Sequence, residues 1–109
     1  MNVSLYFLQR ASALLLAPLV LAHLGLIIYA VRGGLTAAEI LSRTQGSIAW
    51  GLFYSLFVLA AAIHAGIGLR VIIQEWTPLT GRSPNAVGAM FGAFLLVLGL
   101  RAVYAVVAG

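Results

Sequence analysis

The chain has 109 residues, 63% of them hydrophobic and 7% charged, with six arginines, two glutamates, two histidines and no cysteine. A soluble domain takes roughly 25% of its residues from Asp, Glu, Lys and Arg, so this composition excludes a water-solvated globule and makes the lipid bilayer the solvent of a single transmembrane domain over residues 1–109. Disulfides and thiolate-bound iron–sulfur clusters within the chain are excluded, and the net charge of +4 rests on arginines that stand singly, which argues against nucleic acid as a partner.

Residues 11–31 form the first charge-free stretch, 21 residues between Arg10 and Arg32, and a membrane-spanning helix needs about 20 predominantly apolar residues. A signal peptide is the alternative for this stretch, because Val20-Leu21-Ala22 loosely fits a small-residue cleavage site. Against it, the apolar run continues to Tyr29 and the preceding region is not basic. Arg32-Gly33-Gly34 ends the helix, and Thr36 followed by Glu39 resembles a capping box opening a short amphipathic turn. Residues 48–69 form the second span, between Gly46-Ser47 and Arg70. Thr77-Pro78 and Gly81-Arg82-Ser83-Pro84-Asn85 then supply the breakers that stop a helix and reverse the chain. Residues 86–108 form the third span, apolar apart from Arg101, which is close enough to the end to reach the headgroups. The expected fold is all-α, an integral membrane protein of three transmembrane helices.

Three spans place Arg10, Arg70 and Arg82 on one membrane face and Arg32, Arg43 and Arg101 on the other, so the positive-inside rule returns a tie. The first two helices run antiparallel, which gathers Tyr6, Gln9, Arg10, Arg70, Glu75 and Trp76 at the first of these faces. Within the lipid-depth stretches the ionisable groups are His23 and His64, and a polar ring in hydrocarbon is either a functional group or one satisfied by a neighbouring helix. Residues three and four apart share a helix face; Ala60, Ala61 and Gly68 therefore leave a small-residue surface around His64, the kind a flat macrocycle needs. Close helix packing is the other use of such residues and applies equally to Gly88 and Gly92. At about 1.5 Å rise per residue the two histidines differ by roughly 10 Å in depth, which disfavours both ligating one haem and requires a partner chain to supply the second ligand. The surroundings of His23, with Leu19 and Ile27 on its face, are bulkier. Pro18 frees the carbonyl of Leu14, a candidate partner for its ring, and a structural role for His23 is expected.

The stretch Ile63-His64-Ala65-Gly66-Ile67-Gly68-Leu69-Arg70, continuing to Glu75-Trp76, resembles the second-helix motif of the membrane-anchor (cytochrome b) subunits of succinate dehydrogenase and fumarate reductase: a haem-ligating His, Gly four residues on, often Arg two beyond, and an acidic–aromatic pair eleven and twelve residues after the His. Leu8-Gln9-Arg10-Ala11-Ser12 is similar to the segment that opens their first helix. Two positions depart from the family: Gln9 stands where one branch has His, and Trp76 stands where the quinone-contacting Tyr is found, an indole that can only donate. Gly68-Leu69-Arg70 favours the larger anchor subunit and the short N-terminal tail the smaller.

The resemblance implies half of a two-subunit helical anchor, paired with a second membrane-anchor subunit and docked to an iron–sulfur subunit and a flavoprotein subunit in the inner (cytoplasmic) membrane. It implies haem b as cofactor, with His64 as axial ligand of the iron and Arg70, Arg10 and Gly68 beside the haem. Ubiquinone or menaquinone is the implied substrate, with Arg10, Ser12, Glu75, Trp76 and Tyr6 as quinone-site candidates. Ordinary interfacial anchoring is the competing role for Arg10, and a solvated rim position the competing role for Glu75. Two other readings stand beside it: a haemless structural anchor, and a small multidrug-type transporter, a design that calls for four spans and a membrane-embedded carboxylate.

Overall fold

The computed structural model describes residues 3–108. The elements in chain order are α1 (Val3–Arg32), α2 (Ala37–Thr44), α3 (Ile48–Trp76) and α4 (Ser83–Val107), with no strand among the described residues. Three of the four, α1, α3 and α4, are long and apolar enough to cross a membrane, as the charge-free stretches imply. Each helix runs past its stretch at one end or both, because an arginine ends immersion in hydrocarbon without ending a helix. The bundle is 49 Å long against a hydrocarbon core of about 30 Å, so its ends project into the headgroups. Large apolar side chains such as Leu14, Leu21 and Phe94 point outward, and the buried core among the described residues is Ala60, Ala62 and Ile67 on α3, with Pro84 buried at the start of α4. The central helix is therefore α3, with α1 and α4 packed against it.

Among the less exposed residues of α1 are Leu5, Gln9, Ser12, Leu16, Leu19, His23, Leu26 and Ala30, spaced alternately by four and three. That 3.5-residue period keeps one seam turned to a neighbouring helix, and the contacts of Gln9, Ser12 and His23 show that the neighbour is α3. Pro18 lies off this seam on the exposed side, and the helix continues through it. Between α3 and α4 the backbones touch. A Cβ on Gly88 would lie 2.7 Å from the carbonyl oxygen of Gly66, and one on Gly92 would lie 3.2 Å from that of Ala62. Small residues permit this close approach where lipid offers no hydrophobic incentive to associate, which is the packing use expected of Gly88 and Gly92. The space between α1 and α4 holds two clefts of about 460 Å³, one toward each end of the bundle.

The connections are closed by local hydrogen bonds. Gly34, at φ +65°, ends α1 in a Schellman motif, with Leu35 N–H donating to Ala30 O at 3.0 Å and Gly34 N–H to Val31 O at 3.2 Å. Thr36 and Glu39 form the anticipated capping box, here opening a helix of two turns. The end of α2 and the residues just after it satisfy the end of α4: Thr44 Oγ1 donates to Val106 O at 2.6 Å and Gly46 N–H to Val107 O at 2.8 Å. Thr44 is 6% exposed, so Thr44→Val would leave a buried carbonyl without a partner, a loss of about 1–3 kcal/mol. A lowered thermal midpoint of the detergent-solubilised protein, with the helix content unchanged, is the expected result. At the other face Thr77 ends α3 through its own N–H and Oγ1, both donating to Ile73 O.

Candidate functional site

Between α1 and α3 the structure builds one polar cluster at lipid depth. Ser12, 6% exposed, donates its hydroxyl hydrogen to the carbonyl of Gln9 at 3.1 Å, and its Oγ lies 3.4 Å from His64 Nδ1. A hydroxyl has one hydrogen and two lone pairs. With the hydrogen given to Gln9, Oγ accepts from Nδ1–H. In the tautomer of neutral His64 that this arrangement calls for, the proton is on Nδ1 and the free lone pair on Nε2. A metal-ligating histidine commonly has its second nitrogen fixed in this way, which sets both tautomer and ring orientation.

Gln9 completes the cluster. Its Nε2 lies 3.5 Å from where a Cβ on Gly68 would stand, so the clearance at Gly68 opens toward this amide. Gln9 Oε1 is buried without a hydrogen-bond partner, an acceptor on the side chain that faces Gly68. In the sequence Gln9 stands out as one of the polar residues gathered at this face and as a departure from a family pattern; the structure sets it against Gly68. Ala60, buried, lies one turn from His64 on the same face.

The arginines are not brought to this cluster. Arg70 lies about 120° around α3 from His64; its Nε donates to Asn85 Oδ1 on α4, and its Cβ faces Gly88. Arg10 is exposed on the outer side of α1, where Nη1 donates to the Tyr6 hydroxyl at 3.2 Å and the guanidinium lies 5.6 Å from the Tyr6 ring centroid. Arg10 and Arg70 thus share an end of the bundle but face different neighbours. Glu75 and Trp76 occupy the last turn of α3, both exposed, Trp76 at 81%. Glu75, eleven residues beyond His64, returns to within about 20° of its helix face. Asn85 is the partner that sequence reading passed over, since it reads there as a turn residue.

His23 stands apart from His64. Eleven residues of α1 separate it from Ser12, roughly 16 Å along the axis. Its ring meets Tyr54 and Phe57 edge-on, with centroids 5.8 and 5.3 Å away. Its Nδ1 is buried and has no partner. The carbonyl freed by Pro18 does not satisfy that nitrogen, because Pro18 and Leu14 both lie on the exposed side of α1, off the seam that holds His23. Among the described residues no three His, Cys, Asp or Glu side chains gather to hold a bare metal ion. A macrocycle that brings its own four donors asks the protein for a single imidazole on this side, which is the donor set His64 offers.

The family model described as the succinate dehydrogenase/fumarate reductase transmembrane subunit matches residues 1–107. No curated protein and no solved structure matches the chain.

Proposed function

The chain belongs to the succinate dehydrogenase/fumarate reductase transmembrane subunit family, a multi-pass membrane component of that enzyme complex, and on this premise we propose that it is one of two helical anchor subunits that hold haem b between them and help to form the quinone site. The observation that carries the haem reading is the Ser12–His64 contact, 3.4 Å from Oγ to Nδ1, which with the Ser12 hydrogen on Gln9 O would leave His64 Nε2 a free lone pair at lipid depth. His64 would hold the iron from this side, Ser12 would fix its ring, and Gly68 with Gln9 would flank the macrocycle. A second anchor subunit would supply the opposite ligand. Bound haem would supply a one-electron carrier beside the path from the iron–sulfur subunit to ubiquinone or menaquinone. The complex would sit in the inner (cytoplasmic) membrane, with the flavoprotein and iron–sulfur subunits at the face marked by Tyr6, Arg10, Glu75 and Trp76.

At that face Arg10 and Tyr6 form a preorganised pair of donors on the outer side of α1, suited to a quinone carbonyl, and Glu75 supports proton exchange from the exposed end of α3. Arg10→Leu should slow succinate–quinone reduction by roughly tenfold or more, the worth of a charge-assisted hydrogen bond. Oxidation of succinate with a soluble acceptor should be unaffected, because that route bypasses the membrane. Equal loss of both activities would mean failed assembly instead. The reduced-minus-oxidised visible spectrum of the assembled complex tests the haem reading: a b-type α-band is expected, and its absence would leave the haemless structural anchor. The transporter reading finds no support among the described residues, which form three helices long enough to span and carry Glu39 and Glu75 on exposed helix turns near the membrane faces.

A further inference from the structure

One of the two clefts between α1 and α4 lies at the N-terminal end of α1. Its walls are apolar, with Leu8 from α1, Leu59 and Ile63 from α3 and Leu96 from α4, and Arg70 and Asn85 are the polar side chains that line it. The volume of about 460 Å³ falls within the range of about 300–1,000 Å³ typical of ligand sites. Arg70 Nε is satisfied by Asn85 Oδ1, but Arg70 Nη1 is buried and without a partner. The residue stands six positions inside the end of α3, about 9 Å along the axis, where an uncompensated guanidinium is costly.

No described carboxylate answers that charge. Glu39 caps α2 near the opposite face, bonded to Thr36, and Glu75 is exposed about 140° farther round α3. Arg10 and Arg82 at the same end carry the same sign, and Asn85 lies in the first turn of α4, where the helix dipole is also positive. The missing partner is therefore an anion with an apolar body. We infer that this cleft binds an anionic phospholipid, its phosphate held by Arg70 Nη1 and by the amide N–H groups of Asn85, with an acyl chain lying between Leu8, Ile63 and Leu96. The turn of about 120° between Arg70 and His64 separates this site from the haem face. A neutral quinone head would leave the guanidinium charge unanswered.

Native mass spectrometry of the whole complex, stripped of lipid in detergent and then offered phosphatidylglycerol, phosphatidylcholine or ubiquinone, tests the assignment. A single phosphatidylglycerol adduct is expected, formed in preference to phosphatidylcholine. Arg70→Gln should weaken it about tenfold, as expected for loss of a hydrogen bond from a charged donor. Ala89→Trp, which fills the cleft without touching a charge, should weaken it comparably, and both variants should keep the wild-type haem spectrum. Absence of an adduct in the wild type, displacement of the lipid by ubiquinone, or retention of the lipid in either variant would overturn the inference. Loss of haem from Arg70→Gln with the lipid retained would reassign Arg70 to the haem. Failure of the haem reading itself would appear separately, as a wild-type complex that binds the lipid and shows no α-band.

Discussion

Replacing His64 with alanine is expected to remove or shift the α-band of the reduced b-type haem while the subunit still inserts and assembles. Insertion is decided by the apolar length of the spans, which the substitution leaves intact, whereas a haem held as proposed would lose the imidazole that holds it from this side. The same geometry makes a second, graded expectation. Ser12→Ala removes the hydroxyl that contacts Nδ1, and loss of such an outer partner typically costs about 10–100-fold in affinity for the metal group. Haem should therefore remain in Ser12→Ala but be lost far more readily on dilution or detergent washing. His23→Ala serves as the control, since its ring packs on Tyr54 and Phe57 at another level of the bundle, and the haem-to-flavin ratio should not change. An unchanged spectrum in an assembled His64→Ala complex would remove His64 from the iron. A ratio that halves in His23→Ala would mean a second haem lies at that level.

What is legible in the sequence follows from what lipid penalises. Charges in hydrocarbon are expensive, so the charge-free stretches marked the three spans, and Gly34, Thr36 with Glu39, and Thr77-Pro78 marked ends and caps that the structure reproduces. Which side of each helix faces which neighbour was much less legible. A helix apolar all round gives no amphipathic stripe to read, so the seam of α1 is marked only by its few unusual members, Gln9, Ser12 and His23. Pairing Ser12 with His64 required the register of α1 on α3, which no local pattern supplies. The same gap explains Arg70. Its presence at one membrane face was readable from topology, but its turn toward Asn85 depends on α4 lying against Gly66, a glycine overshadowed in the sequence by the motif position Gly68. Each small residue has two competing uses, clearance for a ligand or contact with a helix, and only the packing separates them.

That separation yields the last expectation, a contrast among glycines of similar appearance. Gly88→Leu should prevent assembly. A Cβ there meets the carbonyl oxygen of Gly66 at 2.7 Å and the Cβ of Arg70 at 3.0 Å, so relief requires the axes of α3 and α4 to move apart, not a side chain to rotate. Overpacking a core commonly costs about 1–3 kcal/mol, and here it also breaks the backbone contact that holds the two helices together in lipid. Subunit abundance in membranes, followed by immunoblot, should fall sharply, and the complex should be missing from native gels. Gly68→Ala should assemble normally, because its added methyl would meet only the mobile end of Gln9 at 3.5 Å. Gly99→Ala should lie between them, since its Cβ would collide with the side chain of Val58, a β-branched residue with little rotational escape. Val58→Ala added to that variant removes the colliding atoms and should restore assembly, a coupling between contacting sites of the kind a double-mutant cycle measures. If Gly88→Leu accumulated as well as Gly68→Ala, α3 and α4 would not be in backbone contact, and the cleft, Arg70 and Asn85 would have to be placed anew.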